Sequence, residues 1–250
     1  MGSAQAAPCL GVTFGAAFDG SYNCNDLGTP GGMVPNMGGI TFLNNDTLLV
    51  GNYANGPGGT IRQIDVIRDA DNHIIGFSGA SQPYATASYI DGGLTFGPGG
   101  VLFATGYPNN TLLQYKPGST TPDKIINLSD FGVTVGDSVG TLAFVPLGFD
   151  GAGQLKIASF SYGFWYTATL TEDGNGLYDL AVVWDLAFGR STEGIAYVAG
   201  QNPGFGGLDS VLLSEYGAGK VAAYQIDANG NPIIASRQDF LSGLRGAREL

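Results

Sequence analysis

Four stretches of the chain repeat one another, and that repetition limits the fold more than any other feature. Each opens on a short apolar run: Gly39-Ile40-Thr41-Phe42, Gly93-Leu94-Thr95-Phe96, Thr141-Leu142-Ala143-Phe144 and Gly194-Ile195-Ala196-Tyr197. These openings lie 54, 48 and 53 residues apart. After a Gly, Asn or Asp turn comes a second apolar run: Leu48–Tyr53, Leu102–Tyr107, Leu155–Phe160 and Val211–Tyr216. A third alternates apolar and polar residues, as in Thr60–Val66 and Lys220–Ile226, the pattern of a half-buried strand. Asp-Gly and Asn-Gly turns such as Asp173-Gly174 and Asn229-Gly230 lead to a fourth. Four strands per repeat of this length predict the blades of a β-propeller.

Composition agrees. Of 250 residues 42 are glycine, over twice the usual share of about 7 per cent. Glycine costs about 1 kcal/mol per helical position, so a helical bundle is excluded. The 44% hydrophobic content is enough for a core. We expect an all-β propeller of four-stranded blades, five-bladed and incomplete at the C-terminus. Residues 1–9 read as a processing remnant and 10–250 as one domain. The strand Gly11–Gly15 would help to close the ring, and Leu244–Leu250 would begin a further blade.

The net charge of −11 repels phosphate backbones and anionic membranes, so nucleic acid is excluded as a partner. No apolar run reaches the roughly 18 residues of a membrane span. One histidine, His73, excludes a multi-histidine metal site, and two cysteines exclude a four-cysteine zinc site. Cys9 and Cys24 would be free thiols in a reducing compartment and a disulfide in an exported protein. Ala4-Gln5-Ala6 reads as the remnant of a signal-peptidase site. Export, periplasmic or extracellular, and a disulfide are therefore expected.

The segments LLSEYGAGKVAAY (Leu212–Tyr224) and GFWYTATLTEDGNG (Gly163–Gly176) resemble exported bacterial propeller proteins that carry a PEP-CTERM sorting tail. The resemblance implies export and a repeat-strand fold and says little about chemistry. The final blade and sorting tail of that group have no counterpart here.

In a propeller the innermost strands line a central channel, and ligands sit at one of its mouths. The residues just ahead of those strands are Asn36, Asp91, Asp137 with Ser138, Glu193 and, near the end, Glu249. Four of these six are carboxylates, and oxygen ligands suit calcium. The arrangement is similar, at the level of fold, to the regucalcin and gluconolactonase propellers, which hold one divalent cation and open lactones. The leading expectation is a calcium-dependent hydrolase of lactones or related small esters. Asp91 and Glu193 would be ligands, Asn36 would lie in the shell, and Asp137 would be the general base. The alternative is a non-catalytic exported propeller that binds glycan or protein. The sequence leaves the oligomeric state open.

Other motifs read as structure. Gly136-Asp137-Ser138-Val139-Gly140 matches the nucleophile elbow of α/β-hydrolases, but a strand follows it and no histidine lies downstream. Asp69-Ala70-Asp71-Asn72 and Asp173–Asp179 look like calcium loops but fit tight hairpin turns better. His73 is expected at the surface. Trp165 and Trp184 are expected between blades, and an aromatic at a channel mouth would stack on a sugar.

Overall fold

A computed structural model of the chain describes residues 7–34, 36–133 and 138–244. Three short strands come first: β1 (Ala7–Pro8), β2 (Thr13–Phe14) and β3 (Asn25–Asp26). The first blade follows as β4 (Met37–Asn44), β5 (Thr47–Asn52), β6 (Thr60–Arg68) and β7 (Ile74–Thr86). The second is β8 (Leu94–Phe96), β9 (Leu102–Gly106), β10 (Thr111–Tyr115) and β11 (Lys124–Asn127). The third is β12 (Val139–Phe144), β13 (Leu155–Ser159), β14 (Phe164–Glu172) and β15 (Tyr178–Ala187). The fourth is β16 (Thr192–Val198), β17 (Ser210–Glu215), β18 (Lys220–Gln225) and β19 (Gln238–Ser242). Each blade is an antiparallel meander in chain order. The described residues contain no α-helix, only short 3-10 turns, and no helix long and apolar enough to cross a membrane.

The expected fifth blade is corrected to four. The N-terminal strand β2 opens no further blade. It adds to the outer edge of the fourth, with Leu241 opposite Phe14 and Ser242 opposite Thr13. Aromatic packing holds it there: Phe18 lies 4.9 Å and Phe14 5.7 Å from Phe240, ring centre to ring centre. Residues 245–250, the expected blade opening with Glu249, lie outside the described residues. Cys9 and Cys24 form the expected disulfide, closing the loop that contains β2 and Phe18. The same N-terminal segment then reaches the first blade, where Ser81 N donates to Gly31 O at 2.8 Å and Val34 N to Asn52 Oδ1 at 2.9 Å.

The inner strands stack in sequence: β4 on β8, β8 on β12, β12 on β16. Glycine permits this approach. A Cβ on Gly39 would lie 2.2 Å from Gly92 O, and one on Gly140 2.0 Å from Thr192 O, distances that no larger residue tolerates. Register shifts recur at the start of the inner strand, between Met37 and Ile40, Val139 and Thr141, and Thr192 and Gly194. Between blades the outward rows interlock as apolar cores. Phe103, Leu112, Leu142, Ile157 and Tyr166 fill the seam of blades two and three, and Trp165, Val211, Leu213 and Tyr224 that of blades three and four. Trp165 thus packs between blades as expected. Trp184 does not: it is 57% exposed. It sits on the outermost strand β15, beyond a register shift that sets it opposite Tyr166.

Candidate functional site: one mouth of the ring

The second strand of each blade ends level with the residue that precedes its inner strand. Phe160 N donates to Ser138 O at 2.8 Å, Tyr216 N to Ser191 O at 3.0 Å, and Tyr107 N to Tyr89 O at 3.0 Å. In the first blade Ala54 N donates to Asn36 O at 3.1 Å. The four closing aromatics, Tyr53, Tyr107, Phe160 and Tyr216, therefore emerge at the same end of the ring as the predicted acids. Three of them touch across blade boundaries. Tyr107 and Phe160 are 5.3 Å apart at 68°, and Phe160 and Tyr216 5.7 Å apart at 59°, within the range of favourable tilted pairs. All three are half-buried. Tyr53 stands more open, 54% exposed.

Asp91 and Glu193 are buried, at 7% and 6% exposure. Asn55 Nδ2 donates to Asp91 Oδ2, and the Asp91 backbone N–H donates to Tyr89 O at 2.8 Å. The two acids belong to the second and fourth blades and enter their strands at different levels. Asp91 precedes β8, whereas Glu193 lies inside β16 beside its register shift. Among the described residues no three His, Cys, Asp or Glu side chains come together as a metal would require. Asp137, the expected base, lies outside the described residues.

Ser138 is a structural residue. It is 3% exposed, its Oγ accepts the Asn110 N–H at 3.1 Å, and β12 follows it directly. A nucleophile elbow needs a helix there. The two calcium-loop look-alikes are turns closed by their own amides. Asp69 Oδ1 accepts the N–H of Asp71 and His73 at 3.0 and 2.8 Å. Asp173 Oδ1 accepts those of Asn175 and Leu177 at 2.8 and 3.2 Å. His73 is at the surface as expected, its side chain 73% exposed.

Sequence reasoning passed over a charged group beside Tyr216. Glu215 is 1% exposed at the end of β17. Arg237 holds it in a two-pronged pair, Nε to Oε1 at 2.8 Å and Nη2 to Oε2 at 2.7 Å. Tyr224 OH donates to Oε1 at 2.7 Å, and Arg190 Nε lies 3.4 Å from it. Burial pushes the Glu215 carboxyl up, but the hydrogen bonds from Arg237 and Tyr224 and the two guanidinium charges outweigh it. The net position is below the ordinary carboxylate range. A pocket of about 240 Å³ opens here, lined by Gly189, Arg190, Ser191, Glu215, Gly217 and Ala218. The signal was present: an acid closing a strand whose body is the apolar run Val211-Leu212-Leu213.

No protein-family model matches the chain, and no curated protein sequence matches it. Solved structures do. A Bacteroides uniformis protein assigned as a 6-phosphogluconolactonase superposes with a TM-score of 0.49 at 13% identity, over 94% of this chain and 69% of its own. An auxiliary nutrient binding protein of Bacteroides ovatus gives 0.44 at 11% identity, over 96% and 69%. The periplasmic gluconolactonase of Pseudomonas aeruginosa gives 0.35 at 14% identity, over 82% and 69%. Similarity this distant assigns neither a substrate nor a site to this chain.

Proposed function

We propose that the protein is a binding propeller that takes a sugar-type ligand, free or in a glycan, at the aromatic mouth. The observation that carries this reading is the contact of Tyr107, Phe160 and Tyr216 across three blades. A concave aromatic surface with a few polar groups at its rim is the usual make-up of a small-molecule site. Asp91, Glu193 and Asn55 offer acceptors and donors for hydroxyl groups at the same end. The disulfide supports an oxidising compartment and hence export.

The test is calorimetric titration with a panel of oligosaccharides. Tyr107→Ala, Phe160→Ala and Tyr216→Ala should each weaken the best binder by about tenfold, or about 1.4 kcal/mol. Unchanged affinity in all three variants would sink the reading.

A second reading keeps calcium-dependent hydrolysis of a lactone or small ester. It is favoured by the burial of both Asp91 and Glu193 at this mouth, since a bound cation favours the charged form of a buried carboxylate. These two would be ligands with Asn36 in the shell, and Asp137 would take a proton from water. Bound calcium would supply carbonyl polarisation and a more acidic water. At 100 times its dissociation constant it would stabilise the fold by about 2.7 kcal/mol, a melting shift of roughly 5 to 10 °C. Melting and lactone turnover in EDTA, then with calcium restored, decide between the readings. No shift and no turnover leaves the binding propeller alone.

A further inference from the structure

The charges around Glu215 do not balance. Arg237 bridges Glu215 and Asp239, the latter at 2.8 Å, and Lys220 Nζ lies 2.6 Å from Asp239. With Arg190 these ion pairs join, among the described residues, three cations and two anions, a surplus of one positive charge within the network in a chain of net −11. The surplus has an address. Glu215 already receives two prongs from Arg237 and a hydroxyl from Tyr224, and its approach to Arg190 is the longest of its contacts at 3.4 Å. Arg190 is also the more open of the two arginines, with 44% of its side chain exposed against 22% for Arg237. It lines the 240 Å³ pocket with Ser191 and Gly217, next to Tyr216 of the aromatic arc.

We infer that Arg190 receives the carboxylate of an acidic sugar whose ring lies on the arc formed by Tyr216, Phe160 and Tyr107. This rests on reading the mouth as a sugar-binding site and names the class of sugar. A guanidinium presents a planar fork of donors that matches a carboxylate. One surplus charge suits a monoanion. A phosphate, with up to two charges, would leave negative charge facing Glu215 on the pocket wall. Ser191 adds a hydroxyl on the pocket wall, and the glycines on either side leave room for a ligand to reach the guanidinium.

The probes are trigalacturonate, its fully methyl-esterified form, and glucose 6-phosphate beside glucuronate. They are titrated into the wild type, Arg190→Gln, Arg190→Lys and Tyr216→Ala, with folding checked by thermal melting. Wild type should bind trigalacturonate about tenfold or more tightly than the ester, and the preference should shrink as salt rises. Arg190→Gln should bring the two within about twofold, Arg190→Lys should keep part of the preference, and Tyr216→Ala should weaken both probes together. If wild type binds acid and ester equally, or the preference survives Arg190→Gln, this assignment is wrong while the mouth still binds sugar. Glucose 6-phosphate binding more tightly than glucuronate overturns the carboxylate class. If no sugar binds at all, the proposed function falls and this inference with it.

Discussion

Lys156 in β13 and Glu215 in β17 occupy second strands of adjacent blades, each in an otherwise apolar run and each inaccessible, at 0% and 1% exposure. Their surroundings differ. Lys156 Nζ gives its three protons to neutral oxygens: Gln154 Oε1 at 2.7 Å, Thr167 Oγ1 at 2.6 Å and Asn231 Oδ1 at 2.7 Å. Asn231 comes from the fourth blade and also accepts Trp165 Nε1 at 3.1 Å, so the lysine fastens two blades together. Burial lowers its pKa, and Asp185 and Asp227 offset part of that. Glu215 is met by opposite charge in excess and borders a pocket. A buried ion satisfied by neutral partners and closed off serves the fold. One with surplus counter-charge at an open edge keeps something for a ligand.

The largest effect should come from Glu215→Ala. It removes the two-pronged partner of Arg237 and leaves that guanidinium to Asp239 alone; breaking a buried pair costs about 3–5 kcal/mol, read as a drop in urea unfolding free energy. A loss below about 1 kcal/mol, the scale of surface pairs, would make Glu215 no different from a surface ion. Lys156→Met comes next. It keeps most of the stem but leaves the Gln154 oxygen without its lysine donor and Asn231 Oδ1 with Trp165 Nε1 alone, for a loss of about 1–3 kcal/mol. No loss would mean that the seam does not rely on its lysine.

The two ions should also mark opposite ends of the pH axis. Glu215 has a folded pKa below its unfolded value of about 4.3. Its contribution is complete above that value and fades as pH falls through the folded pKa. Lys156 has a folded pKa below its unfolded value of about 10.4. In the window between the two, the fold binds fewer protons than the unfolded chain, so stability from this group rises with pH. Unfolding free energy followed against pH should lose part of its acid limb in Glu215→Gln and its alkaline rise in Lys156→Met. Identical profiles in both variants would contradict the assignment. The smallest effect belongs to Arg190→Gln. A long contact from a side chain 44% exposed is worth about 0–1 kcal/mol, so melting should barely move. A large loss of stability would place Arg190 in the fold with Arg237.

Much of the mouth was readable in advance. Tyr53, Tyr107, Phe160 and Tyr216 close equivalent strands, and Asp91 and Glu193 precede or open inner ones, so repeat alignment alone sends them to one end. That the last three aromatics touch was not readable, because the 5.3 and 5.7 Å contacts depend on how closely the glycines let the inner strands stack. The charged group by Tyr216 was missed because its members are far apart in the chain. Arg237 lies 22 residues from Glu215 and Arg190 lies 25. Trp184 was misplaced because it stands on the outermost strand of its blade, where apolar identity no longer implies burial.

The sequence by itself determined the all-β class, the four-stranded repeat, the closing turns and the strands that line the centre. These follow from local periodicity and turn chemistry, which act over a few residues. Tertiary structure decided the number of blades, the docking of β2 on the edge of the fourth, the pairing of Glu215 with Arg237, and the latch from Lys156 to Asn231. Each of these joins residues from different strands or blades. Pairing at that distance depends on how rigid sheets stack and which side chains they leave facing one another, a property of the assembled ring that no stretch of sequence carries alone.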